Sequence, residues 1–250
     1  MGIYNVASEI ATMPASELVM PVRRALFPTL SQLADNPGEF SRAVLTSLSA
    51  LAIACSALGF GLAACASEAV AVILGSRWGD AAPLMRWLAV FGIATAITGL
   101  IEVLLWLAGR TKLAAMLSWA ELILLLPAVW WGFQTAGTEG IAVARCAIAW
   151  LMVPVLLWSV TAAGPVKSFQ LAIVVLRPVV AGLVMFALLT AIPWSTHWHV
   201  ALTILAKVAV GAGVFTTTLY IFWRMAGCPN TAESYVFNGT WWRSLVKNQN

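Results

Sequence analysis

An all-α membrane protein, a polytopic bundle of about seven transmembrane helices, is the fold class this sequence predicts, and three observations predict it. Of the 250 residues, 61% are hydrophobic and only 10% charged, against about 25% charged in soluble domains. The apolar residues gather into long runs, each reaching or exceeding the roughly 20 residues needed to cross about 30 Å of hydrocarbon. Those runs are continuous, with none of the alternation over about 10 residues that marks a membrane barrel.

Taken in order, the expected helices lie at about 1–28, 43–66, 84–108, 112–133, 139–161, 170–192 and 200–224, followed by a tail over 226–250. The opening stretch carries Glu9 and Glu17 in otherwise apolar surroundings. At about 100° per residue, Asn5, Glu9, Thr12 and Ser16 fall within roughly 60° of one another, while Pro14, Pro21 and Pro28 recur on another side. A carboxylate in lipid is costly, so the polar stripe is expected to face a bundle interior or an aqueous cavity, and the prolines to kink the helix. This helix therefore reads as the wall of a transport pathway. Its start, without a basic region ahead of an apolar core and without a cleavage site, reads as a helix entered midway rather than a signal peptide.

A polar link with Arg23, Arg24, Asp35, Asn36, Pro37, Gly38, Glu39 and Arg42 leads to the second run. That run, SLSALAIACSALGFG, is rich in small residues, which predicts close helix packing inside the bundle. Ionisable side chains then recur at membrane depth: Glu102, Glu121, Arg145, Arg177 and Lys207. Arg177 and Lys207 lie close enough to span ends to snorkel. Glu121 sits near the centre of its run. Helical side chains lean toward their own N-terminus, so Glu121 and Arg145 on antiparallel neighbours lean apart and a direct pair is not favoured. Glu102, Glu121 and Arg145 are candidates for ion coupling or for buried polar contacts.

Loop charges set the expected orientation. Arg23, Arg24, Arg42, Arg110, Lys112, Lys167, Arg224, Arg243 and Lys247 fall in alternate links and the tail, whereas the intervening links 67–83, 134–138 and 193–199 hold only Arg77. The positive-inside rule makes the first set and the C-terminus cytoplasmic. Tryptophans such as Trp78, Trp106, Trp130, Trp158 and Trp194 fall near the expected span ends, where amphipathic rings prefer the interface.

No catalytic residue, metal site or cofactor site emerges, and the chain does not read as an enzyme. There is no His/Asp/Ser or Cys/His arrangement at depth and no glycine-rich phosphate loop. His197 and His199 share a short outer link without a carboxylate or thiolate beside them, too weak a set for a metal. Cys55, Cys65, Cys146 and Cys228 have no paired spacing and read as packing residues. Asn238-Gly239-Thr240 matches a glycosylation sequon, but the charge argument places it in the cytoplasm. A net charge of +4 is ordinary for cytoplasmic loops and does not point to nucleic acid.

The blocks GIYNVASEIATMP (2–14), PVRRALFPTLSQL (21–33), LGSRWGDAAPLMRWLA (74–89), LAGRTKL (107–113), GTEGIAVARC (137–146) and LRPVVAG (176–182) occur in order along almost the whole chain. In them the sequence resembles the second half of oligosaccharide-lipid flippases in the multidrug/oligosaccharidyl-lipid/polysaccharide exporter superfamily. The resemblance implies one half of a two-bundle transporter in the bacterial inner membrane, serving cell-surface polysaccharide biosynthesis. Its activity would be alternating-access translocation of an undecaprenyl-diphosphate-linked oligosaccharide. Membrane lipid, the lipid-linked oligosaccharide and an N-terminal bundle, in a longer chain or a separate one, are the partners it implies. Asn5, Glu9, Thr12, Ser16 and Glu17 would line the substrate cavity, with Arg23 and Arg24 at its cytoplasmic mouth to meet the diphosphate. The alternatives are a multidrug-type exporter of the same superfamily, a non-transporting membrane subunit, and a truncated relic.

Overall fold

A computed structural model describes residues 4–13, 17, 21, 36–161, 168–194 and 200–226, and the regular structure among them is helical throughout. Helix α1 covers residues 4–13, and positions 17 and 21 are helical as well. Ser16, Arg23, Arg24, His197, His199, Cys228, Asn238 and nearly all of the tail lie outside the described residues.

Helix α2, Pro37–Ala64, begins about six residues ahead of its expected start. The segment Asn-Pro-Gly-Glu reads as a link, yet proline suits a helix's first turn, where its missing N–H is no loss and its φ is already right. Glu39 in that turn complements the positive end of the helix. At the other end Cys65 departs from helical geometry (φ −102°, ψ 12°) and the chain resumes as α3, Ala66–Ile73, a short helix where a link was expected. The amides of Leu74 and Gly75 both donate to the Val70 carbonyl, closing α3, and a single 3-10 turn, Ser76–Trp78, leads to the next span.

Helix α4, Ala81–Leu107, is the centre of the bundle. Leu88, Ile93, Ile97, Leu100 and Leu105 are fully buried, and α4 packs against α2 on one side and α5 on the other. Close approach of α2 depends on Gly59, where a Cβ would run into the Ile93 side chain. The small-residue face of α2 is thus a packing face, with Leu48, Ala52, Ser56 and Ala63 buried.

Helix α5, Thr111–Thr161, is two helices broken at Ala136 (φ −139°) and Gly137 (φ 59°, ψ −133°). Gly137 takes a conformation open to glycine and hardly any other residue. The chain doubles back there, bringing the backbones of Gly132 and Gly140 into contact. The second arm enters the core through Ala149, Met152, Val153 and Leu156. The first arm stays at the periphery, with Trp119, Ile123, Leu126 and Trp130 exposed.

Helix α6, Ser168–Ala191, packs on α2, with Gly182 directly under the Phe60 ring. Helix α7, Val200–Met225, rests on α6 through one stripe of every fourth residue: Thr203, Lys207, Gly211, Phe215, Leu219 and Trp223. Among the described residues five helices are long and apolar enough to cross a membrane, one of them the 50-residue stretch Thr111–Val160. Since that stretch is a hairpin, α2, α4, each arm of α5, α6 and α7 are the candidate crossings among the described residues. Cys55, Cys65 and Cys146 are buried and free.

Candidate functional site

The polar stripe of α1 turns away from the bundle. Asn5 and Glu9 are exposed and Thr12 is half-buried, whereas Ala7 and Ala11, on the opposite side of the helix, are buried against α4 and its neighbours. Two small residues at this spacing let α1 lie close on the bundle, so the helix has one packed face and one open polar face. The Thr12 hydroxyl donates to the Ser8 carbonyl at 2.7 Å. Glu17 is exposed. Ser16, Arg23 and Arg24, grouped with these residues on sequence grounds, are outside the described set.

At its packed end α1 is fastened by Arg145. Nη1 of Arg145, on the second arm of α5, donates to the Tyr4 hydroxyl at 3.1 Å. The guanidinium also lies over the Phe91 ring of α4, 4.7 Å from its centroid, so one cation joins α1, α4 and α5. Glu121, half-buried on the first arm, lies within electrostatic reach of Glu102 on α4 and of Arg145. The fold thus joins Arg145 to Tyr4 and sets Glu121 within electrostatic reach of Arg145 and of Glu102, while Asn5 and Glu9 stay on the open side of α1. Tyr4 was not among the residues singled out from the sequence. A phenol at the start of an apolar helix has nothing in its spacing to mark it.

A second polar centre joins Lys207, singled out from the sequence, to Glu68, which was not. Lys207 is buried, and its ammonium meets the Glu68 carboxylate of α3 at 2.5 Å. The same ammonium donates to the Ala64 carbonyl at 3.3 Å and stands 6.0 Å from the centroid of the Trp194 ring. Lys207 therefore reaches toward a span end, as the snorkelling expectation has it, but is held there inside protein by an acid. Burial pushes the Glu68 carboxyl up, and hydrogen bonds from Lys207, from the backbone and from Ser67 outweigh this and hold it below the ordinary carboxylate value. Arg177 is half-buried on α6.

Next to this pair a groove of about 500 Å³ runs between α2, α6 and α7. Its walls are Ala57, Gly61, Met185, Leu189, Val208 and Phe215 among others, with Lys207 at one end. Among the described residues no group of three or more His, Cys, Asp or Glu is placed to hold a metal.

Comparison with known proteins gives these side chains a context. A family model described as "Polysaccharide biosynthesis protein" matches residues 1–83. The succinoglycan biosynthesis transport protein ExoT of Rhizobium meliloti (strain 1021) is 25% identical over 226 residues, 88% of this chain and 45% of the relative. The lipopolysaccharide biosynthesis protein WzxC of Escherichia coli (strain K12) is 26% identical over 140 residues, 56% of this chain and 28% of the relative. The teichuronic acid biosynthesis protein TuaB of Bacillus subtilis (strain 168) is 28% identical over 126 residues, 50% of this chain and 26% of the relative. The chain thus spans less than half the length of each of these relatives. No solved structure gives a significant match. With its long apolar helices the chain is a multi-pass membrane protein, similar over its first third to the family described as "Polysaccharide biosynthesis protein" and a partial match to longer homologues.

Proposed function

We propose that this chain is one bundle of a two-bundle carrier that turns an undecaprenyl-diphosphate-linked oligosaccharide from the inner to the outer leaflet of the bacterial inner membrane. The observation that carries the reading is the open face of α1: Asn5 and Glu9 point away from this bundle while Ala7 and Ala11 pack into it. In lipid such a face has no partners, and a second bundle across a water-filled cavity supplies them. A sugar diphosphate cannot cross about 30 Å of hydrocarbon unaided, so its carrier needs a polar cavity for the head and an apolar surface for the tail. Asn5, Glu9, Thr12, Ser16 and Glu17 are the cavity wall in this reading, and Arg23 and Arg24 meet the diphosphate at the cytoplasmic mouth. Glu102, Glu121 and Arg145 form the interior polar group, as ion-coupling residues or as the hydrogen-bonded support of α1. The tail from 226 to 250 is cytoplasmic, as the loop charges require.

The test is reconstitution in vesicles that contain the lipid-linked oligosaccharide, with a membrane-impermeant glycosidase scoring the exposed sugar. Alternating access needs one bundle rocking against another, so the 250-residue chain alone is expected to give no acceleration. Co-reconstitution with a first bundle is expected to give it. Flipping by the chain alone overturns the two-bundle arrangement. No flipping by the assembled pair, together with export of a lipophilic dye, replaces this reading with a multidrug-type exporter.

A further inference from the structure

We propose that α3 and the turn after it form a membrane-surface clip for an anionic phospholipid: Val72 and Ile73 enter the boundary between headgroups and acyl chains, and Arg77 and Arg86 hold the headgroup phosphate. The inference does not rest on the flipping reading.

The level of this segment follows from the helices on either side of it. Helix α2, with 28 residues, rises about 42 Å, and α4, with 27, about 40 Å. Both exceed a hydrocarbon core of about 30 Å, so residues 66–80, which join them, lie at the bilayer surface and not in its middle. Helix α3 has a protein side: Ala66 and Val70 are buried with Ala81, Leu84 and Met85 of α4, and Glu68 is taken by Lys207 of α7. Its last turn has no such cover. Val72 and Ile73 are 58% and 59% exposed, neighbouring aliphatic side chains at the level where water meets lipid. A short helix packed on protein by one side, with an apolar outer turn, lowers its free energy by dipping that turn into the boundary.

The charges beside that turn specify the headgroup. Arg77 is exposed in the 3-10 turn, and Arg86 is exposed five residues into α4, about 7–8 Å along it. Among the described residues neither holds an ion pair or a hydrogen bond. Helix α3 packs on both the 3-10 turn and α4, so one corner of the fold carries the exposed aliphatic pair and both cations. Two acids are near in sequence. Glu68 is already neutralised by Lys207, and Asp80 sits exposed at the N-cap of α4, where the positive end of the helix offsets its charge. The corner is left with an unmatched positive charge, which a phosphate complements and the ammonium of a zwitterionic headgroup opposes. Trp78 and Trp87, each next in sequence to one of the arginines, suit the same layer, and Trp87 is exposed there.

Fluorescence quenching on the purified full chain, reconstituted in vesicles of phosphatidylcholine and phosphatidylglycerol, tests both halves of the assignment. An environment-sensitive probe is placed on Ile73→Cys in a Cys228→Ser background, the other three cysteines being buried. Lipids with a nitroxide near the headgroup are expected to quench the probe, and aqueous iodide to leave it bright. Spin-labelled phosphatidylglycerol is expected to be enriched at the probe about fivefold over spin-labelled phosphatidylcholine, the factor for one net charge at such a surface. Arg77→Gln combined with Arg86→Gln, both at exposed positions, is expected to abolish that enrichment. Quenching by iodide in place of the lipids overturns the insertion. Protection from both quenchers overturns it as well, because another protein segment would then cover the turn. Equal quenching by the two headgroups when both arginines are present, or enrichment that survives the double substitution, overturns the headgroup assignment.

Discussion

Arg145 fastens α1 to the core with two contacts of different kinds, and they should separate by mutation. The hydrogen bond to Tyr4 is charge-assisted and half-buried, worth about 1.5–3 kcal/mol at most. The stacking on Phe91 contributes about 0.5–1 kcal/mol. Tyr4→Phe is therefore expected to lower the detergent-solubilised melting temperature more than Phe91→Leu does, and to loosen α1 without unfolding α4 or α5. Proteolysis confined to the first turns would read the loosening; equal effects of the two substitutions would assign the hold to packing. Glu68 gives a pH test. Its carboxyl is held below the ordinary 4.5 in the folded chain, so the unfolded state binds the proton more readily. The stability it contributes is present above that value and is lost as pH falls from about 4.5 through the folded-state value. Glu68→Gln should flatten this acid limb and, by leaving Lys207 buried without its acid, cost about 3–5 kcal/mol at neutral pH. An acid limb unchanged in Glu68→Gln would locate the titration elsewhere.

Among the elements, the α5 hairpin rests on two glycines for different reasons. Gly137 holds φ 59° and ψ −133°, so Gly137→Ala is expected to cost about 1–3 kcal/mol in backbone strain alone. Gly140 is needed for space: a Cβ there meets the Gly132 carbonyl, and Gly140→Leu should pry the arms apart. Gly213 has nothing near a would-be Cβ, and Gly213→Ala in α7 should stabilise by up to about 1 kcal/mol, measured by the same thermal unfolding. Gly137 falls in the link expected at 134–138 between two apolar runs, so the turn itself was legible. The break at Cys65 was not, since Ala-Ala-Cys-Ala-Ser-Glu holds no breaker residue and α3 continues the composition of α2. The start of α2 was hidden for the converse reason, because proline and glycine read as a link although proline suits a first turn. Glu68 with Lys207 and Tyr4 with Arg145 are 139 and 141 residues apart, joined by packing that no local pattern encodes.

For the whole molecule, helix count and membrane class follow from long apolar runs, which sequence displays directly, whereas what faces the cavity depends on which side of each helix the bundle covers. Helix α1 combines the two kinds of information. Its polar residues were grouped by angle, and its packed side is now fixed by Ala7 and Ala11, which sit roughly 200° and 240° around the helix from Asn5. The open side carries Asn5 and Glu9, and in the complete assembly it should be wet. Single cysteines at positions 5 and 9 are expected to react with a membrane-impermeant thiol reagent from at least one side, and cysteines replacing Ala7 or Ala11 to stay protected. Position 12, half-buried, should react more slowly. Transport should respond in the same order as cost. Glu9→Gln removes a formal charge that lipid would tolerate only at about 2.5–3.5 kcal/mol, and should impair flipping more than Thr12→Val, whose hydroxyl is already satisfied by the Ser8 carbonyl. Protection at both 5 and 9, with flipping unchanged in Glu9→Gln, would make the open face a packing surface for the second bundle, and the cavity would have to be lined by other helices.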